Sequence, residues 1–377
     1  MKEIVLGGRV IITGRGSLDS IKNLNAARAF IVTGGSAMQK SGVIDHIHEL
    51  LRAVGCSCEV FSGVSPNPDP QIVMAGVERM REFRPDTVIA VGGGSPIDAA
   101  KVMALLYEYP TNNFVELLEG PLPSSRKLVR LVAIPSTSGT GAEVTKAAVI
   151  TFTDRNLKIG LKSEALVPDV AILDAELTMT MPPNIVAETG MDAVTHAVEC
   201  YTNPSLDDFT EPLAREAVAG LFEWLPVSYG EKTLESREKV HNYQCMAGLA
   251  FTNVGLGMAH GIAHAIGGKF GLGHGLINAI ALPEVLEYNS RDAEVARRLE
   301  RLAQTIGARS FVEAVRKLNR LMGIPVSFQA AGLNEDAFKQ ALPELVANSL
   351  QGSTRVNPVK ITAEDMAVLL DRLYRGQ

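Results

Sequence analysis

The sequence predicts an α/β chain in two parts: an N-terminal Rossmann-like parallel-sheet domain over residues 1–180 and a C-terminal all-helical domain over residues 181–377. Three observations carry this reading. Short, continuously apolar, β-rich runs alternate with helix-spaced segments through the first half, as in parallel strands covered on both faces. After Leu173 the strand signal fades and helical spacing runs to the C-terminus. Between the two lies Met181-Pro182-Pro183-Asn184, where two prolines break the pattern and Asn184 is placed to cap a new helix. A chain of 377 residues accommodates two domains. Its 46% apolar and 21% charged residues suffice to fill and cover their cores.

Taken in order, Arg9–Ile12 reads as an edge strand able to pair between subunits, and Ala29–Thr33 as the first central strand. Gly34-Gly35 follows, then a helical stretch through Leu51 and Val54. Ser57–Phe61 is the next strand. Pro70–Phe83 is a helix with Ile72, Val73, Gly76, Val77 and Met80 on one face. Thr87–Val91 is a strand running into Gly92-Gly93-Gly94, and Pro96–Leu106 is a helix. Leu128–Ile134 is a strand ending in a Ser/Thr/Gly loop, and Val170–Leu173 is the last strand. In the second half Glu294–Ile306 and Phe311–Met322 are helices. In parallel sheets of this kind ligands bind at the carboxyl ends of the strands, where both glycine-containing loops fall.

Several partner classes are disfavoured. The net charge is −6 with no basic block, which argues against nucleic acid. Met1-Lys2-Glu3-Ile4-Val5 does not begin a signal peptide, so a cytoplasmic protein is expected. The four cysteines, Cys56, Cys58, Cys200 and Cys245, form no framework and read as buried reduced thiols. Val240–Gly268 carries no formal charge and is long enough to span a membrane. It also holds His241, Asn242, Gln244, Asn253, His260 and His264, so a buried helix or helix pair explains it better and no membrane partner is expected.

Two loops suit an anion. In Gly92-Gly93-Gly94-Ser95-Pro96-Ile97-Asp98 the glycines allow a phosphate close to the backbone. Ser95 is placed as N-cap, Pro96 as first helical residue and Asp98 as a capping-box acid. The helix start then attracts negative charge. Ser136-Thr137-Ser138-Gly139-Thr140 offers hydroxyls and amides at the same sheet edge, and two such loops suit a dinucleotide better than one phosphate.

The histidines carry the most information. Asp192 and His196, and again His260 and His264, stand four apart, on one helical face. The second helix is expected to end at Gly267-Gly268, with His274 in a glycine-rich turn. Asp192, His196, His260 and His274 can thus converge from two helices and a turn, and such donors suit iron, zinc or a similar divalent ion. Taken singly, an Asp–His pair at this spacing reads as a surface contact and a His on an apolar face as a hydrogen-bonded core residue, but three histidines in a glycine-rich stretch with only Lys269 charged beside them are costly to bury without partners. His46 and His48 lie in a charged amphipathic stretch and read as exposed, and His241 as structural.

With these residues in place, the chain resembles the iron-containing (group III) alcohol dehydrogenase family. The matching stretches are Gly92–Lys101, Pro135–Thr145, Gly190–Tyr201 and Gly255–Pro283, in order across nearly the whole chain. The resemblance implies a metal-dependent alcohol dehydrogenase or aldehyde reductase. Hydride would pass between a small alcohol or aldehyde and NAD or NADP across a cleft between the domains. It implies Fe2+, with Zn2+ possible on the same donors, held by Asp192, His196, His260 and His274. His264 would lie beside the nicotinamide and substrate and relay a proton. Gly93, Gly94 and Ser95 would hold the pyrophosphate, and Ser136, Thr137, Ser138, Gly139 and Thr140 would hold the cofactor from the other side. Asn67 falls near the nicotinamide ribose, Val149 and Lys158 along the cofactor site, and Phe251 and Thr252 in the substrate pocket.

One position departs from the family pattern. Gly34 stands where many NAD-preferring members carry an aspartate, so nothing there repels a 2′-phosphate and NADP or both forms are expected. A homodimer or larger homo-oligomer is also expected. The rival readings are a dehydroquinate-synthase-like lyase and a non-catalytic, metal-stapled nucleotide-binding protein. The first needs a more polar pocket than Phe251, Leu256, Met258, Ile262 and Ile266 offer. The second needs a metal with every position closed.

Overall fold

The protein is seen in a computed structural model that describes residues 6, 10–110, 120–152 and 157–376. Met1–Val5 and Arg9 lie outside the described residues, and the N-terminal edge strand begins at Val10. The chain forms two compact units that divide between Thr180 and Met181.

The first unit is built on a six-stranded sheet of β1 (Val10–Thr13), β2 (Arg28–Thr33), β3 (Ser57–Phe61), β4 (Thr87–Gly92), β5 (Arg130–Pro135) and β8 (Val170–Leu173). The strand order is β1-β8-β5-β4-β2-β3, with every pairing parallel. The continuous apolar runs follow from this: β4 is buried along its whole length, and separate apolar clusters cover the two faces of the sheet. The helices are α1 (Ala37–Lys40), α2 (Val43–Ala53), α3 (Pro70–Phe83) and α4 (Gly94–Glu108). The chain steps outward from β2 to β3, then returns to lay β4 on the other side of β2. The order reverses between β2 and β4, which is where open α/β sheets take ligands.

An antiparallel hairpin, β6 (Ala147–Phe152) with β7 (Leu157–Lys162), packs on α4 and was absent from the sequence expectation. It encloses α4 between hairpin and sheet, which is why that helix is apolar nearly all round.

Other expectations are corrected. β5 starts at Arg130 rather than Leu128, because the backbone N–H groups of Lys127, Leu128 and Val129 donate to the Glu108 carboxylate instead of a strand. α4 starts at Gly94 with Gly93 as its N-cap, so Ser95 is not the cap and Asp98 is not a capping-box acid. Asp98 instead accepts the Val149 N–H at 3.0 Å. Cys58 is half-buried on β3, whereas Cys56, Cys200 and Cys245 are buried, and none of the four is in a disulfide.

The second unit is helical: α5 (Pro183–Thr202), α6 (Glu211–Gly230), α7 (Leu234–Val254), α8 (Met258–Phe270), α9 (His274–Asn289), α10 (Ala293–Thr305), α11 (Phe311–Leu321), α12 (Glu335–Ser349) and α13 (Ala363–Arg375). α5 begins at Pro183 behind Pro182, so Asn184 lies inside it and is not the cap. The uncharged run is shared between α7 and α8, which bend by 101° where they meet. Among the described residues no single helix is long and apolar enough to cross a membrane, although this bent pair is by length and composition. α8 runs past Gly267-Gly268 to Phe270 and closes on Gly271 in the left-handed region. His274 is therefore the first residue of α9 and not part of a turn.

Candidate metal centre and cofactor loops

α5, α8 and α9 meet around a buried cluster of donors. Asp192 and His196 lie one turn apart on α5, with Asp192 Oδ2 3.9 Å from His196 Nδ1. His260 Nε2 on α8 and His274 Nε2 on α9 each lie 3.8 Å from Asp192 Oδ1. One ligand atom each from Asp192, His260 and His274 lie within 4.8 Å of one another. His196 stands at the edge of this trio, its ring 4.5 Å from that of His260 and stacked on Phe251 at 4.5 Å. The start of α9 comes this close to α5 only because Gly275 is a glycine: a Cβ there would sit 2.2 Å from the Glu188 carbonyl oxygen. His264, one turn beyond His260, is outside the trio. Its ring stacks on that of His274 at 5.3 Å and lies 6.4 Å from that of His260. The His274 side chain is 31% exposed while Asp192 and His260 are almost fully buried, so the centre opens toward solvent on the His274 side. Thr252, on α7, is half-buried.

The electrostatics fit a cation. Burial alone would raise the Asp192 carboxyl, yet His196, His274, His260 and a hydrogen bond from Asn278 hold it below its ordinary value. Burial, reinforced by His196, pushes His260 well below 6.5. An ionised carboxylate beside a neutral imidazole is the protonation that ligands of a divalent ion require. Asn278, four residues after His274, donates from Nδ2 to Asp192 Oδ1 at 2.8 Å and lies 3.2 Å and 3.3 Å from His260 Nε2 and His274 Nε2. Its own Oδ1 is buried and has no hydrogen-bond partner among the described residues. Behind His260 stands Glu199, buried and pushed up to about 7 by that burial, with the backbone amides of Gly257, Ala259 and His260 and the His196 ring pulling the other way. Neither Glu199 nor Asn278 was singled out from the sequence. Each repeats a helical spacing from a histidine already singled out, three after His196 and four after His274, and that spacing could have found them.

In the first unit the glycine loops after β4 and β5 lie against each other. Ser136 N–H donates to the Gly92 carbonyl at 2.8 Å. A Cβ on Gly93 would sit 3.4 Å from Thr137 Oγ1, and one on Gly94 only 2.9 Å from Thr140 Cγ2. Bulk at Gly94 would push the loops apart. Ser138 and Gly139 complete the loop between them, with Ser138 buried. Ser95 Oγ accepts the Asn67 N–H at 3.3 Å, and Lys158 Nζ on β7 donates to Asn67 Oδ1 at 2.8 Å. Asn67 holds φ at 61°, a left-handed conformation asparagine tolerates. Val149, on β6, is tied to α4 through Asp98. Gly34 closes β2 beside the Val64 carbonyl and Pro96. These residues surround the N-terminus of α4, whose first-turn amides have no acceptor within the helix. Lys101, missed in the sequence, is fully buried on α4 and donates to the Thr145 and Ala147 carbonyls at 2.8 and 2.7 Å, fixing the start of the hairpin.

Comparison with known proteins covers both units. The family model for iron-containing alcohol dehydrogenase matches residues 9–175, and that for the C-terminal part of the Fe-containing alcohol dehydrogenase family matches residues 186–374. The chain is 40% identical over 379 residues to an NADPH-dependent butanol dehydrogenase of Clostridium saccharobutylicum, covering 98% of this chain and 97% of that protein. It is 36% identical over 386 residues to the 1-propanol dehydrogenase PduQ of Citrobacter freundii, covering 99% and 100%. An iron-containing alcohol dehydrogenase from Thermococcus thioreducens superposes with a TM-score of 0.92 at 31% identity over 100% of both chains.

Proposed function

The chain belongs to the iron-containing alcohol dehydrogenase family and is an alcohol–aldehyde oxidoreductase, and on that premise we propose how its own residues divide the work. Asp192, His196, His260 and His274 hold one divalent ion, which we take to be Fe2+, although the same donors serve Zn2+. The carrying observation is the trio of ligand atoms from three helices within 4.8 Å of one another. Residues 181–377 present the ion and bind the alcohol, while residues 1–180 bind the dinucleotide. With the family fixed, the lyase reading falls away.

When bound, the ion supplies Lewis acidity that favours an alkoxide, and the nicotinamide supplies the hydride acceptor. The protein's part is to orient and to manage charge. Phe251, stacked on His196, and Thr252 bound the alcohol's place. His264, on the solvent-facing side of the centre, takes up the alcohol proton at its ring nitrogen and passes it outward. Gly93, Gly94 and Ser95, with the α4 N-terminus, hold the pyrophosphate, and Ser136 through Thr140 close over it. Asn67, Val149 and Lys158 support the nicotinamide ribose.

Gly34 sets no carboxylate against a 2′-phosphate, so the enzyme uses NADP or both forms, and the NADPH-dependent relative supports this. Two relatives named for butanol and 1-propanol support a short primary alcohol. The exposed apolar residues of edge strand β1, Val10 and Ile11, support a homodimer or larger assembly. Four cysteines outside any disulfide support a reducing, cytoplasmic setting. The test is a panel of short alcohols with NAD and NADP, followed by nicotinamide absorbance. The expected result is NADP reduction with propanol or butanol; no reduction of either cofactor with any alcohol contradicts the proposal.

A further inference from the structure

We propose that Glu199 is the positioning residue of this centre: its carboxylate locks His260 in the tautomer that presents a lone pair at Nε2, and seats the start of α8 so that this lone pair faces Asp192 and His274. The inference rests on the metal-centre reading above. His260 Nδ1 lies 2.6 Å from Glu199 Oε2. The same carboxylate accepts the Gly257 N–H at Oε2, 2.9 Å, and the Ala259 N–H at Oε1, 2.6 Å. With backbone donors on both oxygens, the carboxylate form of Glu199 meets the imidazole as an acceptor, which places the ring hydrogen on Nδ1.

The other side of the ring gives the same answer independently. His260 Nε2 faces Asn278 Nδ2 at 3.2 Å. That amide cannot be turned round, because its nitrogen also donates to the Asp192 carboxylate at 2.8 Å. A donor at Nε2 and an acceptor at Nδ1 select one tautomer.

The local sequence makes room for this arrangement. A Cβ on Gly257 would come 2.9 Å from Glu199 Oε1 and 3.0 Å from Asn357 Oδ1, so only glycine lets the carboxylate reach the open end of α8. Glu199 lies on α5, the helix that also carries Asp192 and His196. One helix thus supplies two ligands and the brace for a third. Carboxylates behind metal-binding histidines set ring orientation and basicity, and their loss typically weakens metal affinity about 10–100-fold. In Glu199→Gln an NH2 must stand opposite either a backbone N–H or Nδ1, so Nδ1 loses its charged acceptor and Asn278 alone opposes a ring hydrogen on Nε2, where it would block the lone pair.

The experiment uses the full chain, metal-free, with nitrogen-15 histidine, and reads the tautomer from two-bond proton–nitrogen couplings. His260→Gln assigns the signal. Cobalt(II) affinity is then measured by competition with a chelator. In the wild type His260 is expected as the Nδ1–H form. In E199Q part of the population is expected to move to Nε2–H, with cobalt affinity about 10–100-fold weaker. Asn357→Ala removes the other cap of α8, the Met258 N–H bond at 3.1 Å, without touching His260. It is expected to lower thermal stability and leave tautomer and affinity alone. The proposal is overturned if E199Q keeps the Nδ1–H form with unchanged affinity, or if N357A weakens cobalt binding as much as E199Q does. A wild-type chain that takes up no cobalt, yet switches tautomer in E199Q, overturns the metal-centre reading and leaves the Glu199 lock standing.

Discussion

Asn278 shows how a single side chain shapes the candidate site: its amide N–H groups lie toward Asp192, His260 and His274 together, marking the point on which their lone pairs converge. The residue-scale predictions follow from which side chains share that point. His260→Gln or His274→Gln is expected to abolish metal retention, read by elemental analysis after gel filtration. His264 stands outside the trio. Its replacement by Asn is expected to cut turnover about 100-fold while metal content stays near wild type. Loss of metal in His264→Asn would instead make it a ligand. A Cβ at Gly34 would stand 3.4 Å from the Val64 carbonyl oxygen, an ordinary contact, and the backbone there is not left-handed, so the backbone accepts Gly34→Asp. The carboxylate is expected to raise the KM for NADP about tenfold or more through charge repulsion while sparing NAD. Equal effects on both cofactors would mean that the 2′-phosphate is not read at this position. The four-residue spacings were legible because a helix turns a spacing into a face. Asn278 and Glu199 were not, because an Asn or Glu on a helix has many ordinary uses and only the fold shows which atoms it meets.

At the scale of elements, α4 does two things at once: its N-terminus faces the glycine loops while its buried flank carries the hairpin. Lys101 and Asp98 make that second contact, through the Thr145 and Ala147 carbonyls and the Val149 N–H. Burial pushes Lys101 down to about 8 from 10.5, with Asp98 and Glu143 opposing, and pushes Asp98 up to about 6. Between pH 8 and 10.5 the unfolded chain still binds the lysine proton that the folded chain has released. Stability from this group therefore rises as pH increases through that window. Wild type is expected to gain on the order of 2 kcal/mol over Lys101→Met between pH 8 and 10 in urea melts. A constant difference across that range would mean Lys101 titrates normally. The same variant is expected to weaken dinucleotide binding, because β6 and β7 carry Val149 and Lys158. The parallel strands were legible from their apolar runs. The hairpin was not read, although β6 alternates buried and half-buried residues with the period of a one-faced strand. The ends of α8 and the start of β5 escaped because Gly271 and Glu108 decide them, one by its left-handed backbone and the other by capturing three strand amides.

For the whole molecule, sequence periodicity was sufficient for fold class: a parallel sheet followed by a helical unit is what the alternating and then helical patterns require. The uncharged run that could span a membrane by length is instead a bent pair holding buried His241 and His260. The spacing of the donors suggests that these segments converge, but how closely α9 approaches α5 is not legible, since it depends on Gly275 against the backbone of α5. The assembly prediction belongs here too. Light scattering is expected to give a mass of at least two chains, and charged substitutions at Val10 and Ile11 on the exposed edge of β1 are expected to reduce it. A wild-type mass of one chain would contradict that. The central claim is that one divalent ion, held by Asp192, His196, His260 and His274, is required for alcohol oxidation. The most direct measurement is an anaerobic titration of the chelated protein with iron(II), following butanol-dependent NADP or NAD reduction. The account predicts no turnover without metal and a linear rise that saturates at one ion per chain. Full turnover in the metal-free protein, or saturation unaffected by replacing His260, would contradict it.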